Sequence, residues 1–118
     1  MFRMSLNRVH DTVQIREGNE KLTLKVDADP MRLTAGLVQA GQVMKKWGDA
    51  EKVTVKQQRE YALFFAGVMF GQEQAQKLLE FYHNNPGCVV NVCGQYFEKR
   101  LRKLVEKAQK RLKDAADR

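Results

Sequence analysis

Apolar residues alternate with polar ones in two short stretches near the start of the chain, one on each side of the sequence Glu17-Gly18-Asn19-Glu20. The alternating apolar positions are Val9, Val13 and Ile15 in the first stretch and Leu22, Leu24 and Val26 in the second. Period-two spacing places such side chains on one face of a strand, and Gly18-Asn19 can take the positive φ values of a tight turn. The pattern predicts a β-hairpin, whose apolar face must dock on helices or on another subunit because a lone hairpin is marginal in water.

Helical spacing begins at Asp29-Pro30. This pair is a typical helix start, because Asp accepts a hydrogen bond from a free amide and Pro at the first position has no amide to lose. The apolar seam of the first helix repeats at four- and three-residue intervals up to Gly48-Asp49, through Leu33, Leu37, Ala40, Met44 and Trp47. Two internal glycines, Gly36 and Gly41, each cost up to about 1 kcal/mol relative to Ala, which is easier to understand if another helix packs closely there.

Two further helices follow before the break at Asn84-Asn85-Pro86-Gly87. Thr54 and Gln57 are spaced as a capping-box pair, which indicates the start of the second helix, and Gly71 indicates its end. The third helix is predicted from about Gln72 to Tyr82. The apolar faces comprise Tyr61, Phe64, Phe65, Val68 and Met69 in the second helix and Ala75, Leu78, Leu79 and Tyr82 in the third.

The segment from Cys88 to Cys93 has two interpretations. Its β-branched residues follow a Pro-Gly turn and could form a short buried strand. Helical spacing nevertheless continues through this segment toward the end of the chain, at Val90, Cys93, Phe97, Leu101, Leu104, Ala108 and Leu112. We expect one long amphipathic fourth helix, and the strand alternative for residues 88–93 stays open.

The fold class expected from these elements is α+β, mostly α, in a single domain over residues 1–118. The domain comprises a hairpin region (1–28), helices one to three (29–85) and a long basic C-terminal helix (86–118). The longest nearly uninterrupted apolar stretch, Tyr61 to Phe70, is about half of the roughly 20 residues that cross a bilayer, and no secretory signal is recognisable at the N-terminus. We therefore expect a protein that resides inside the cell.

The formal net charge of +7 is unevenly distributed, because residues 98–118 hold nine Lys/Arg against four Asp/Glu. The cationic side of the fourth helix comprises Lys99, Arg100, Arg102, Lys103, Lys107, Lys110 and Arg111. Such a surface can bind nucleic-acid phosphates or an acidic protein. It can equally be a solvated face, since Glu98 and Glu106 each stand four residues before a basic side chain. The lack of Trp on its apolar side disfavours a membrane surface.

The same helix could extend beyond the body of the domain, because it is longer than its predicted neighbours. Its apolar seam would then need cover from a second subunit or from a partner helix, which is the main reason to expect assembly. The predicted partner-binding residues are Tyr96, Phe97, Leu101, Leu104 and Leu112.

No catalytic, metal or cofactor site is predicted. The candidate metal ligands are His10, His83, Cys88 and Cys93. Their spacing matches none of the usual zinc-ligand patterns. Neither cysteine lies in a motif that would expose it or lower its pKa, so we expect two free, buried thiols. The eight glycines form no phosphate-binding loop. We therefore expect a protein that is not an enzyme.

Three stretches carry a resemblance to a known family: residues 64–82, Tyr96-Phe97-Glu98-Lys99-Arg100 and Lys107-Ala108-Gln109-Lys110-Arg111. They resemble small tail proteins of phages and prophages of Gram-positive bacteria, and most of all the tail assembly chaperones encoded ahead of the tape-measure protein. The resemblance implies a non-enzymatic protein in the host cytoplasm that escorts the tape-measure protein, helps to recruit tail-tube subunits and often forms oligomers. It implies no cofactor, and it carries no invariant site onto numbered positions.

The expected function is therefore that of a tail assembly chaperone, which packs its helices against itself and against tape-measure and tail-tube proteins. The alternative is a small phage-encoded regulator that binds nucleic acid or a host protein through the basic helix.

Overall fold

A computed structural model of the chain describes residues 8–47 and 53–116, with the exception of the side chains of Trp47, Leu112, Ala115 and Ala116. The elements are β1 (Val9–Glu17), β2 (Glu20–Ala28), α1 (Pro30–Trp47), α2 (Val55–Phe70), α3 (Gln72–Phe81), α4 (Pro86–Tyr96), a π-helical turn (Phe97–Leu101) and α5 (Arg102–Ala116). The last three are continuous and together form one C-terminal helix. The predicted hairpin followed by four helices is confirmed. None of the described helices is long and apolar enough to cross a membrane.

The hairpin forms as predicted. β1 and β2 pair along their whole length around a two-residue turn, in which Gly18 has a φ of 60°. The inward side chains Leu24 and Val26 are buried in the core shared with the helices. The Gln74 side chain fastens β2 to α3, because it accepts a hydrogen bond from the Lys25 amide and donates one to the Lys25 carbonyl, both at 2.7 Å. The hairpin therefore docks on the helices of its own chain.

Side-chain caps define three helix starts. The Asp29 carboxylate accepts a hydrogen bond from an amide in the first turn of α1 (2.8 Å), and Thr54 and Gln57 make both hydrogen bonds of a capping box before α2. The Asn85 side chain accepts hydrogen bonds from two amides in the first turn of α4. The last helix therefore begins before residues 88–93, and the strand alternative for them is excluded.

A single apolar core joins the hairpin to the helices. α2 lies at its centre and contacts α1, α3, α4 and β2. One contiguous cluster of buried side chains extends from Val9 in β1 to Ala108 in α5. Its most deeply buried members include Leu24, Leu33, Ala62, Ala66, Leu78, Leu79, Val89, Cys93 and Leu101. The small side chains of α2 allow its neighbours to approach closely on several sides.

The seam of α1 is only partly as predicted. Leu33 and Ala40 are buried and Leu37 is half-buried, but Met44 is exposed, so its assignment to the core was wrong. The helices that bury this seam are α2 and α5, and their cover does not extend to Met44. The Trp47 side chain and the predicted helix end at Gly48-Asp49 lie outside the described residues.

The seam of the C-terminal helix agrees with the prediction at Cys93, Leu101 and Ala108 and differs from it by one residue at the other described positions. The buried residues are Val89, Cys93, Tyr96, Leu101, Val105 and Ala108. Val90, Phe97 and Leu104, which were assigned to the seam, are only half-buried. The buried positions recur every three or four residues except for a step of five between Tyr96 and Leu101. The π-helical turn covers this step and absorbs the extra residue, with the Arg102 amide donating to the Phe97 carbonyl.

The two glycines inside α1 have different surroundings, which gives a matched test of helix packing. A Cβ at Gly36 would lie 2.7 Å from Cγ1 of Val68 in α2, whereas a Cβ at Gly41 would meet nothing within 4 Å. The prediction of close packing is therefore confirmed for Gly36 and wrong for Gly41.

We expect Gly41→Ala to raise the free energy of unfolding by up to about 1 kcal/mol, because Ala favours helix more than Gly does. Gly36→Ala is expected to lower it by about 1–3 kcal/mol, because the stiff, β-branched Val68 must move away. Urea unfolding of both variants measures the difference. Val68→Ala should reduce the loss caused by Gly36→Ala, and equal stability of the two glycine variants would rule out the close contact between α1 and α2.

Candidate functional site

A buried carboxylate joins the hairpin to the C-terminal helix. Asp11 occupies an inward position of β1, and its side chain is only 6% exposed. Arg100 binds this carboxylate through two hydrogen bonds, from Nε to Oδ2 (2.6 Å) and from Nη2 to Oδ1 (2.8 Å). The Tyr96 hydroxyl donates a third to Oδ2 (2.7 Å). These three residues, called the Asp11 cluster, satisfy a charge that would otherwise be costly to bury.

The π-helical turn determines the geometry of the Asp11 cluster. Tyr96 immediately precedes the turn and Arg100 lies within it. In an uninterrupted α-helix Tyr96 and Leu101 would point about 140° apart. With the turn, Leu101 is completely buried, while Tyr96 and Arg100 both reach Asp11. The Tyr96 ring also stacks on Phe70 of α2, with 5.7 Å between ring centroids. The cluster therefore connects β1, α2 and the C-terminal helix.

Within the Asp11 cluster, each group stabilises the protonation state that its partners need for their hydrogen bonds. The hydrogen bonds from Arg100 hold the pKa of Asp11 below its ordinary value of 3.8, and the hydrogen bond from Tyr96 lowers it further. Burial and the hydrogen bond to Asp11 raise the pKa of Tyr96, so the phenol remains a hydrogen-bond donor. Tyr96 and Arg100 of the C-terminal helix therefore both bind the hairpin through Asp11.

Two of the predicted partner-binding residues belong to the core of this chain. Leu101 and Tyr96 are buried against other residues of the same chain. Phe97 and Leu104 are half-buried at the edge of the core, and the Leu112 side chain lies outside the described residues. α5 packs on α1 and β1, so its seam is covered by the domain itself as far as Ala108. Among the described side chains, the contact surface predicted on this helix is reduced to Phe97 and Leu104.

The predicted basic surface is mostly exposed, with one correction. Its exposed members outside the Asp11 cluster are Lys99, Arg102, Lys103, Lys107, Lys110 and Arg111. Arg100 is committed to Asp11, and Arg102 pairs with Glu98 at 3.5 Å. Three lysines of this predicted surface lie on α5 and form what we call the α5 stripe: Lys103, Lys107 and Lys110. Their spacing of four and three residues places them on one side of the helix, and they enter none of the ion pairs between described residues.

A second surface lies on the outer side of α1 and was missed in the sequence. Met31 and Val38 are 66% and 57% exposed, and Ala35 stands between them at helical spacing. These three residues, called the α1 stripe, share one side of the helix because seven residues complete two turns. This side is opposite to the seam of Leu33 and Ala40. The sequence contained the signal, since apolar residues repeat on both sides of this helix.

The α1 stripe borders a groove of about 890 Å³ between α1, the end of α2 and β2. Val68 and the partly buried ring of Phe64 contribute apolar surface to it. Ala35 lines the same space and leaves room for an approaching backbone, because its side chain is small. Polar and apolar side chains both line the groove, and Ala35 is the residue that the groove shares with the stripe.

The charges around this groove are unbalanced. Its two acidic residues are already engaged, Asp27 by Arg8 at 2.6 Å and Asp29 by the first turn of α1. Lys25 and Arg32 also line the groove, and neither takes part in an ion pair between described residues. Two cations without an anionic partner among the described residues therefore stand beside exposed apolar side chains.

The residues considered as metal ligands lie on different elements. His10 is on β1, 3.5 Å from the Asp27 carboxylate, and His83 follows α3. Both cysteines are in α4 and are free. Cys93 is fully buried, which raises its pKa to about 12, but Cys88 is only half-buried, so the expectation of two buried thiols is correct for Cys93 alone. Among the described residues, no three His, Cys, Asp or Glu side chains are grouped as metal ligands.

The Asp11 cluster should make stability depend on pH. We expect Asp11→Asn to lower the free energy of unfolding by about 2 kcal/mol at pH 7, because it removes the ionised acceptor of three hydrogen bonds. The folded-state pKa of Asp11 is below 3.8, so the contribution of its charge is fully present above about pH 4 and is lost as pH falls through the folded-state value. Urea unfolding at decreasing pH should show the two proteins converging.

Asp27→Asn is the matched control, since Asp27 also pairs with an arginine in the hairpin but is largely exposed. Its effect should be much smaller, because exposed ion pairs contribute little. An equal loss of unfolding free energy in the two variants would contradict the structural role of Asp11. So would a difference in unfolding free energy between Asp11→Asn and wild type that does not change with pH.

Two surfaces thus stand out as candidate binding sites: the α5 stripe, and the α1 stripe with its groove. No protein-family model, no curated protein and no solved structure matches this chain.

Proposed function

We propose that this chain is a non-enzymatic phage tail morphogenesis protein, an assembly chaperone that binds the tape-measure protein and tail-tube subunits in the cytoplasm of the bacterial host. The observation that carries the proposal is the α1 stripe beside its groove, where Met31 and Val38 remain in water although the opposite side of α1 belongs to the core. Large apolar side chains exposed together on one side of a helix, beside a groove, are typical of protein-binding sites. The resemblance of residues 60–112 to tail assembly chaperones supports the same function.

The proposed mechanism is reversible helix packing. A client helix that is not yet assembled exposes its apolar seam, and docking on α1 would remove that seam from water at a gain of about 25 cal/mol per Å² of apolar surface. The small side chain of Ala35 would allow the client backbone to approach closely. No covalent step is needed, and the client would be released when a tail component offers a larger complementary surface.

The test is co-expression of the full chain with a helical fragment of the tape-measure protein encoded in the same genome. We expect the two proteins to co-purify in a defined ratio, because the client seam is covered by the chaperone. Light scattering should show a complex, or an oligomer of this chain, that persists at moderate salt. A chain that remains monomeric and fails to retain the fragment would refute the proposal.

A second candidate function is a small regulator that binds nucleic acid through the C-terminal helix. The observation that favours it is the α5 stripe, because Lys103, Lys107 and Lys110 are exposed on one side and have no ion-pair partner among the described residues. Such a row of lysines can neutralise successive phosphates, and its affinity would fall steeply with salt. A host protein with an acidic surface could use the same lysines.

Gel-shift titrations with DNA and RNA at low salt test this second candidate. Replacing the three lysines of the α5 stripe by Gln should strongly lower the affinity for nucleic acid. It should also reduce the salt dependence of that affinity, because each substitution removes one phosphate contact. The control is a triple variant that removes the same charge elsewhere on the protein, with Gln in place of Lys45, Lys46 and Lys56. No shift at low salt, or equal effects of the two triple variants, would eliminate this candidate.

A further inference from the structure

We propose that the helix which docks on the α1 stripe and its groove is amphipathic, with an apolar seam flanked by Asp or Glu residues, and that it belongs to a different protein. The inference rests on the proposed function for the existence of a helical client. It adds the chemical character of the client and the place where the client binds.

The shape of the site fits the apolar seam of one helix. Met31 and Val38 are two turns apart, which corresponds to about 10 Å along α1. A helix laid against them presents side chains at i, i+3, i+4 and i+7 over the same length. The groove beside Ala35 offers further apolar surface, including the partly buried ring of Phe64. A docked helix could therefore bury one seam on the stripe and in the groove together.

The cations around the site favour a partner helix whose apolar seam is flanked by acidic residues. α1 contains Arg32, Lys45 and Lys46 and no acidic residue between Pro30 and Trp47. Arg32 and Lys25 line the groove, while both acids of the groove are engaged within the chain. An approaching carboxylate would meet cations that form no ion pair within the described part of the chain, beside exposed apolar side chains, where exclusion of water strengthens the attraction. A lysine-rich flank would be repelled by the same cations.

These charges also decide against other occupants. A second copy of this chain would bring a molecule of net charge +7 against a cationic face, so like charges would meet across the interface. Nucleic acid would satisfy Lys25 and Arg32, but its phosphates would leave Met31 and Val38 in water. An acidic amphipathic helix is the partner that satisfies the cations and covers the apolar side chains at the same time.

The test is fluorescence anisotropy of three labelled synthetic helices titrated with the full chain. The first helix carries a leucine seam with glutamate flanks, the second has the same seam with lysine flanks, and the third keeps the glutamates but has alanine in the seam. We expect the first helix to bind at least about tenfold more tightly than either of the others, because only it offers both complementary features.

Val38→Glu and Val55→Glu form the matched pair of variants. Both residues are exposed valines at helical positions, 57% and 69%, but Val38 belongs to the α1 stripe, whereas Val55 stands at the start of α2 and is part of neither the stripe nor the groove. Val38→Glu should weaken binding of the first helix by at least about tenfold, and Val55→Glu should change it by less than about twofold. Circular dichroism checks that both variants fold.

Arg32→Gln supplies a second variant in case Val38→Glu is poorly folded. It should weaken binding of the helix with glutamate flanks and leave the helix with lysine flanks unchanged or bound more tightly. Similar affinities for the helix with glutamate flanks and the helix with lysine flanks would overturn the inference. Similar effects of Val38→Glu and Val55→Glu on binding of the first helix would also overturn it. Displacement of the first helix by double-stranded DNA, or dissociation of a homo-oligomer by Val38→Glu, would assign the α1 stripe to another occupant and overturn it as well.

The failure of this inference can be distinguished from that of the proposed function. If the tape-measure fragment co-purifies equally well with wild type and with Val38→Glu, the docking site is wrong but the chaperone function stands. If the fragment is not retained by the wild-type chain, the chaperone function itself fails.

Discussion

The ionised carboxylate of Asp11 connects the two parts of this fold. The hairpin shares only one sheet face with the helices, and a two-stranded sheet cannot maintain its position alone. Asp11 interrupts the apolar face of β1, and it becomes compatible with burial only because Arg100 and Tyr96 supply three hydrogen bonds. This requirement orients the C-terminal helix, since Tyr96 and Arg100 must approach β1 while Leu101 remains in the core. The π-helical turn is the backbone solution that meets both conditions.

The position of the C-terminal helix in turn decides which apolar surfaces remain exposed. Because α5 lies against α1 and β1, its own seam is covered, and its cationic residues form the outer side. Gln109 of α5 donates a hydrogen bond to Thr34 of α1 (2.9 Å), close to the α1 stripe but without covering it. Among the side chains that the structure describes, the large apolar ones that stay exposed are consequently on α1 and at the start of α2. For this reason the proposed binding surface is the outer side of α1 and not the seam of α5.

Sequence patterns were most informative where a local rule acts within a few residues. The turn at Gly18, the capping box of Thr54 and Gln57, and the break before the last helix all depend on hydrogen bonds between near neighbours, and all are present. Patterns were less reliable for helix faces. Periodicity with a constant 3.6-residue repeat could not anticipate the π-helical turn, and Tyr96 and Val105 on either side of it are buried where the repeat predicted Phe97 and Leu104. Apolar residues repeat on both sides of α1, and periodicity alone does not determine which side faces the core.

The sequence by itself determined the order and type of the elements, the cationic character of the C-terminal helix and the capping of the helix starts, because these follow from local propensity, periodicity and composition. Only the tertiary structure decided that Arg100 pairs with Asp11, that Leu101 lies in the core and that Met31 and Val38 are exposed to solvent. Asp11 and Arg100 are far apart in the chain, and the pairing of a buried acid with one of several arginines depends on how β1 and the last helix pack. Exposure is likewise a property of the neighbours that a side chain acquires, and the side of α1 left without neighbours is set by where α2 and α5 lie.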